Sequence, residues 1–70
     1  MNYNEANSLR DKIGDKVLGK KWKPWDNEVD DIIILPENNA YYLTLKYKNG
    51  EENTLEEFMK WQEIDLSYFD

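Results

Sequence analysis

Residues 40–50 read AYYLTLKYKNG, and they predict the strand on which the rest of the chain is built. Apolar residues alternate with more polar ones along this stretch, so a chain with a two-residue period places the two sets on opposite faces. The predicted buried face carries Tyr41, Leu43, Leu45 and Tyr47. The pattern is typical of a strand that packs on a core with one side only.

The residues on either side extend this strand into a meander. Asn49-Gly50 readily takes the positive φ angles of a two-residue type I′ turn, and residues 51–54 predict a short returning strand. Upstream, the β-branched run at residues 29–35 (VDDIIIL) predicts another strand, and residues 36–39 (PENN) have the composition of a turn. Two successive hairpins give a three-stranded antiparallel sheet.

The first residues predict a short helix whose end is ambiguous. Residues 1–8 are polar and rich in Asn, so we expect the first few to be poorly ordered. The helix is predicted to start at Glu5, with Asn4 as a candidate cap, and its apolar residues at helical spacing are Ala6, Leu9 and Ile13. The helix ends at Gly14, or it continues to Leu18 with Gly19 just beyond its end. We favour a strand from Asp15, because a glycine inside a short helix costs about 1 kcal/mol relative to alanine.

A second helix is predicted near residues 55–62. Thr54 and Glu57 fit a capping box, in which each side chain satisfies a backbone N–H of the other residue. The apolar face of this helix breaks after Trp61, so the helix is short. Residues 63–69 (EIDLSYF) then alternate in polarity and predict a closing strand.

Length and composition limit the functions that the chain can perform. Seventy residues predict a single domain over residues 1–70 with a thin core. The absence of Cys and His excludes disulfides, thiol nucleophiles, imidazole chemistry and typical zinc sites, so we expect no enzyme, no cofactor and no metal. No apolar run approaches the roughly 18 residues of a membrane span, and the first residues lack a signal-peptide core. We therefore expect a cytoplasmic protein without membrane contact.

The charge is distributed unevenly along the chain. The net charge is −6, but residues 1–25 carry six cations against three acids, whereas residues 26–70 carry three cations against twelve acids. An acidic body repels phosphate and favours basic partners. The distribution predicts a protein partner with a basic surface and makes nucleic acid an unlikely ligand.

The order of the predicted elements resembles the small SH3-like barrels, in particular the Tudor-like and chromo-like modules. Residues 13–18 (IGDKVL) match the opening strand, and residues 42–58 (YLTLKYKNGEENTLEEF) match the closing segment. The likeness covers about residues 13–66. It implies a small antiparallel barrel, or a meander of three to five strands, that binds without catalysis. Several such modules hold a methylated lysine or arginine in an aromatic cage, but the regular aromatic spacing of that cage is missing here.

Two tryptophans in a polar loop are the first candidate binding residues. Trp22 and Trp25 flank Lys23-Pro24, and large aromatics on a loop can anchor a partner. The alternative is that one or both fold back to cover the thin core. Tyr42, on the polar face of the central strand, is a third candidate. Together the three rings could surround a cation, with a cation–π attraction of about 0.5–2 kcal/mol.

Acidic residues form the second candidate set. The predicted partner-binding acids are Asp26, Asp30, Glu51, Glu52, Glu56 and Glu57. Adjacent carboxylates point in different directions on a strand or helix, so they predict no catalytic pair. A continuous acidic surface can instead imitate the phosphates of nucleic acid. In composition the chain resembles phage-encoded inhibitors of nucleases, restriction systems and CRISPR effectors, which are short, acidic and free of cysteine.

A basic cluster supports a different function. Lys20, Lys21 and Lys23 could contact phosphate while Trp22 stacks on a base. An ordinary solvated loop explains the same residues, and we favour that reading because the rest of the chain is acidic. The sequence therefore predicts a small β-rich, SH3-like domain that acts as a protein-binding module or inhibitor. Weak nucleic-acid binding through the three lysines is the alternative.

Overall fold

A long antiparallel hairpin lies at the centre of the protein. The computed structural model describes residues 1–23 and 27–70. The elements, in chain order, are α1 (Tyr3–Val17), β1 (Lys21–Trp22), β2 (Asn27–Glu37), β3 (Ala40–Tyr47), β4 (Glu52–Thr54), α2 (Leu55–Gln62) and a 3₁₀ helix (Leu66–Phe69). The four strands form one antiparallel sheet in the order β1-β2-β3-β4, curled like half a barrel. The prediction of a small α+β fold with a β-rich meander is confirmed.

One face of the hairpin is buried as the alternation predicts. Leu43, Leu45 and Tyr47 of β3 are at most 4% exposed. On β2 the register shifts between Val29 and Asp31, which is the signature of a β-bulge. The bulge explains why Val29 and Ile32, an odd and an even position, both lie in the core at 1% exposure.

The type I′ turn lies in the first hairpin. Asn38 and Asn39 connect β2 to β3 and have φ angles of 48° and 61°. Both central residues of a type I′ turn need positive φ, and Asn tolerates this region better than most residues. The predicted turn is therefore confirmed at Asn38 and Asn39, whereas Pro36 and Glu37 belong to β2 and pair with Tyr41 and Ala40. The geometry of this turn sets the pairing of the two long strands.

The second hairpin forms where predicted, but with a different turn. Gly50 has a φ of 89°, whereas Asn49 does not have a positive φ. Tyr47 accepts the N–H of Gly50 at 3.0 Å and donates its own N–H to the carbonyl of Glu51 at 2.9 Å. This is a β-turn followed by a glycine bulge, so the prediction of a type I′ turn at Asn49-Gly50 is wrong.

Helix α1 begins earlier than expected. The side chain of Asn2 accepts the N–H of Glu5 at 2.8 Å, and Glu5 accepts the N–H of Asn2 at 3.0 Å. This capping box starts the helix at Tyr3, inside the Asn-rich stretch.

Helix α1 also continues past Gly14, so the favoured strand from Asp15 is wrong and the longer helix is confirmed. Ile13 and Val17 lie on its buried face, both at 0% exposure. Burying an aliphatic side chain contributes about 1.5–3 kcal/mol, which outweighs the cost of one helical glycine. Gly19, with a φ of 75°, follows the helix end as the longer reading requires.

The second helix is confirmed and the closing strand is wrong. The Thr54 hydroxyl accepts the N–H of Glu57 at 3.2 Å, and Glu57 accepts the N–H of Thr54 at 2.9 Å. After α2, Glu63 adopts a left-handed conformation with a φ of 56°, which reverses the chain. Residues 66–69 then form a 3₁₀ helix that buries Phe69.

The core lies between the curled sheet and the helices. Its members are Ala6, Ile13, Val17, Val29, Ile32, Leu43, Leu45, Tyr47, Leu55, Phe58 and Phe69. Both helices contribute, since Ala6 is on α1 and Phe58 is on α2. The Tyr47 hydroxyl is a buried polar group without a hydrogen-bond partner among the described residues. Such a group reduces stability because it has lost its contacts with water.

We predict that Tyr47→Phe stabilises the protein. The substitution removes an unpaired buried hydroxyl and keeps the ring, so the free energy of unfolding should rise by about 1 kcal/mol. Chemical denaturation measures the change. Tyr3→Phe is the matched control, because Tyr3 is 53% exposed and its hydroxyl can reach water. A loss of stability in Tyr47→Phe would show that the hydroxyl is well solvated or bonded.

The same residue predicts a pH dependence. Burial, and then the nearby Glu51 carboxylate, raises the pKa of Tyr47 above its ordinary value of 10.0. Tyr47 therefore ionises at a lower pH in the unfolded chain than in the folded protein. As the pH rises from about 10 towards the folded pKa of Tyr47, the folded protein loses stability. The stability difference between Tyr47→Phe and the native protein should be constant below pH 9 and grow above pH 10. A difference that stays flat to pH 11 would contradict this.

Candidate functional site

An apolar pocket of about 400 Å³ lies beside the start of β3. Its lining consists of Met1, Leu9, Glu37, Tyr42, Leu43, Thr54, Leu55, Glu56, Met59 and Leu66. Leu43 and Leu55 are nearly buried, at 1% and 6% exposure, and therefore form its floor. Met1 and Leu66 stand at the rim, 43% and 50% exposed. The volume suits one or two side chains of a partner, or a small ligand.

The charged side chains that line this pocket are all negative among the described residues. Glu37 stands at the end of β2 and Glu56 in the first turn of α2, and both are exposed. Lys and Arg do not contribute to the described lining. An apolar floor with carboxylates around it favours a ligand that is apolar in the middle and cationic at its edges.

The pocket adjoins a backbone edge of the sheet. β4 pairs with β3 only over Thr44, Leu45 and Lys46, because the chain turns into α2 after Thr54. The N–H of Tyr41 lies beyond this pairing and donates to the carbonyl of Met1 at 2.9 Å. A strand edge and an apolar pocket therefore share one surface.

Two of the predicted partner-binding residues meet in this pocket. Tyr42 lies on the outer face of β3 and is half-buried, and Glu56 lines the same pocket from the first turn of α2. Four other predicted partner-binding residues are exposed and lie outside the described lining. They are Asp30 beside the β2 bulge, Glu51 and Glu52 in the second hairpin, and Glu57 at the start of α2. These four make no ion pair with another described residue. Their role in partner binding stays a prediction.

The loop tryptophans are separated from Tyr42. Trp22 is half-buried, its ring packs edge-to-face on Phe58 at 5.2 Å, and its Nε1–H donates to the carbonyl of Val17 at 3.3 Å. Trp22 lies at the end of the sheet where Val29 pairs with Tyr47. Tyr42 is five residues from Tyr47 along β3, a distance of roughly 17 Å at about 3.3 Å per residue. The two rings therefore do not form one cage. Trp25 and Asp26 lie outside the described residues.

The basic cluster is exposed but lacks its stacking ring. Lys20, Lys21 and Lys23 are all exposed around β1. The indole of Trp22 points away from them towards Phe58 and Tyr68, at ring distances of 5.2 Å and 6.2 Å. Nucleic-acid binding would therefore depend on the lysines without help from this ring, and it stays a prediction.

Two groups with displaced pKa values lie outside the pocket. Tyr47 is buried in the core, and Asp65 is exposed, where hydrogen bonds from the hydroxyl and the N–H of Ser67 lower the pKa of its carboxyl group. Within residues 1–23 and 27–70, we find no group of three or more acidic side chains that could hold a metal ion. The same residues contain no helix that is long and apolar enough to cross a membrane.

Sequence reasoning missed most of the pocket. Leu9, Leu43 and Leu55 read as ordinary core residues, and Leu66 falls in a segment predicted to be a strand. Met1 belongs to the stretch expected to be poorly ordered. These residues are far apart in the chain, so only the packing of α1, α2 and the 3₁₀ helix around β3 brings them together. The signals available in the sequence were the aromatic residues and the acids, and they identified Tyr42 and Glu56 but not Glu37.

Comparison of the chain with models of known protein families, with curated proteins and with solved structures finds no match. The function is therefore inferred from the geometry and charge of the site.

We predict that Trp22 contributes to stability. Trp22→Ala removes the packing on Phe58 and the hydrogen bond to Val17, so the free energy of unfolding should fall by about 2 kcal/mol. Trp22→Phe keeps an aromatic ring and should lose about half as much, because the hydrogen bond to Val17 and only part of the ring packing disappear. Denaturant titration of both variants measures this. Unfolding of Trp22→Ala at the same denaturant concentration as the native protein would contradict the packing role.

Proposed function

We propose that this protein is a non-enzymatic protein-binding module, which receives an apolar side chain of a basic partner in the pocket beside β3. The observation that carries the proposal is the combination of an apolar floor, Leu43 and Leu55, with carboxylates of Glu37 and Glu56 on the lining. A small domain that leaves an apolar pocket open loses burial that it needs for stability. A binding role explains why this pocket is not filled.

The energetics favour recognition of a partner rather than a small polar metabolite. Burial of one large apolar side chain contributes about 1.5–3 kcal/mol, and an anchored side chain in a desolvated pocket is typical of a binding hot spot. The surrounding carboxylates attract a basic surface over a longer range and accelerate encounter. The −9 balance of residues 26–70 extends this attraction beyond the pocket.

The resemblance to SH3-like modules supports this function only in part. Residues 42–58 form the strand, turn, strand and helix that the likeness requires. Residues 13–17 are helical and Leu18 caps the helix, so residues 13–18 do not form the opening strand. We therefore propose only that this protein, like the SH3-like modules, binds its partner through a small curled sheet.

A second candidate is an inhibitor that imitates nucleic acid. Glu51, Glu52, Glu56 and Glu57 are all exposed within one short segment, which offers a row of negative charges. Such a row could occupy the phosphate path of a basic nucleic-acid enzyme. This mode would depend on the charges and not on the apolar floor, so the two functions can be separated by mutation.

The test is capture of partners from extracts of the native host by the immobilised protein. We expect at least one protein to bind the native chain and to be lost, by tenfold or more, from Glu37→Lys/Glu56→Lys, because reversed charges repel a basic surface. The matched control is Asp11→Lys/Asp15→Lys, which changes the net charge equally at two exposed positions of α1 outside the pocket. The control should retain the partner.

Each alternative has its own signature in the same experiment. Glu56 belongs to both surfaces, so Glu51 and Glu52, which lie outside the pocket lining, separate them. Capture that disappears in Glu51→Gln/Glu52→Gln as well as in Glu37→Lys/Glu56→Lys would favour the acidic row over the pocket. Capture that is lost on charge reversal of Lys20, Lys21 and Lys23, and is lost from the native chain when the extract is treated with nuclease, would favour the basic cluster. Equal capture by all variants would contradict every one of these surfaces.

A further inference from the structure

We infer that the segment received by the pocket is extended and adds to the sheet as a strand beside β3, with apolar side chains flanked by Lys or Arg. This inference rests on the proposed function and names the class of ligand. It follows from the backbone edge at the pocket, from the contact that Met1 makes there, and from the charges around it.

The edge of β3 next to the pocket is longer than the strand that covers it. β4 occupies Thr44–Lys46, and in the described part of the chain no strand lies beside residues 40–43 on this side. Backbone groups point to alternate sides of a strand. Tyr47 donates to Glu51 and Tyr41 to Met1 on this side, so the N–H of Leu43, which lies between them in the same parity, also points to this side. The carbonyl of Leu43 lies opposite the N–H of Leu55, because Thr44 pairs with Thr54.

Met1 occupies the position of one residue of an added strand. Its carbonyl accepts the N–H of Tyr41 at 2.9 Å, as a neighbouring strand would, and it also lines the pocket. The residue is nevertheless 43% exposed, and the contact is a single hydrogen bond. An extended ligand that places a carbonyl against Tyr41 and an apolar side chain on Leu55 would reproduce both contacts and add further ones.

The opposite edge of the hairpin is protected in a different way. On β2 the guanidinium of Arg10 donates from Nε to the carbonyl of Ile32 at 2.7 Å and lies 3.5 Å from Asp31. A charged side chain placed on a strand edge discourages pairing with another chain. The edge at residues 40–43 has an apolar surface in place of such a charge, which makes it the edge suited to strand addition.

The charges select the chemistry of the ligand. Glu37 and Glu56 are negative and belong to different elements around the pocket, and neither pairs with a described cation. A strand with a two-residue period can direct apolar side chains to the pocket while its flanking residues meet these acids. The ligand is therefore an extended basic peptide with alternating Leu or Val, and not an amphipathic helix.

Synthetic peptides test this without knowledge of the natural partner. The probe is an acetylated and amidated hexapeptide in which Lys alternates with Val or Leu, titrated into the ¹⁵N-labelled full chain. Two isomers carry N-methyl groups on alternate backbone amides, so that each isomer blocks one edge of the peptide and leaves all side chains unchanged. We expect one isomer to bind at least tenfold more weakly than the parent peptide and the other to bind like the parent. The amide signals of Tyr41 and Leu43 should shift most.

The outcomes separate strand addition from the pocket itself. If both methylated isomers bind like the parent, and Glu37→Lys/Glu56→Lys abolishes all binding, strand addition is overturned while the proposed pocket function stands. If none of the peptides binds at millimolar concentration, strand addition is again overturned, and capture of a folded partner decides the proposed function separately. Peptide binding that is equal in the native chain and in Glu37→Lys/Glu56→Lys would overturn the selection by charge.

Discussion

The register of the β2–β3 hairpin is the constraint on which the rest of the structure depends. Side chains on a strand alternate between faces, so a slip by one residue would move Leu43, Leu45 and Tyr47 from the core to the solvent. The turn at Asn38 and Asn39 prevents that slip, because both residues have the positive φ angles of a two-residue connection. A core of this size could not lose three of its members and remain folded.

The pocket is a consequence of how the meander ends. The capping box of Thr54 and Glu57 starts α2 immediately after a strand of three residues, so β4 stops before it has covered β3. The helix then packs Phe58 on the sheet and leaves Met59 at the side of the gap. Local helix initiation therefore leaves residues 40–43 without a strand partner on this side and places the apolar surface beside them.

The distribution of charge follows the same architecture. Lys12 and Lys16 of α1 contact the carboxylate of Asp70 and the carbonyl of Tyr68, which attaches the end of the chain to the first helix. Exposed ion pairs of this kind contribute little to stability, typically below about 1 kcal/mol. Much of the basic first part of the chain is thereby used within the fold, whereas Glu37 and Glu56 remain available at the pocket.

The sequence by itself determined the elements whose signals are local. The alternation of residues 40–47, the two turns and the capping box at Thr54 are visible within a few residues, and each depends on backbone geometry that neighbouring residues control. Only the tertiary structure decided that α1 continues through Gly14, that residues 66–69 are not a strand, and that Leu9, Leu55 and Leu66 share a pocket. Those outcomes depend on burial against residues distant in the chain, and the free energy of such burial exceeds the local preference of about 1 kcal/mol that favoured the alternatives.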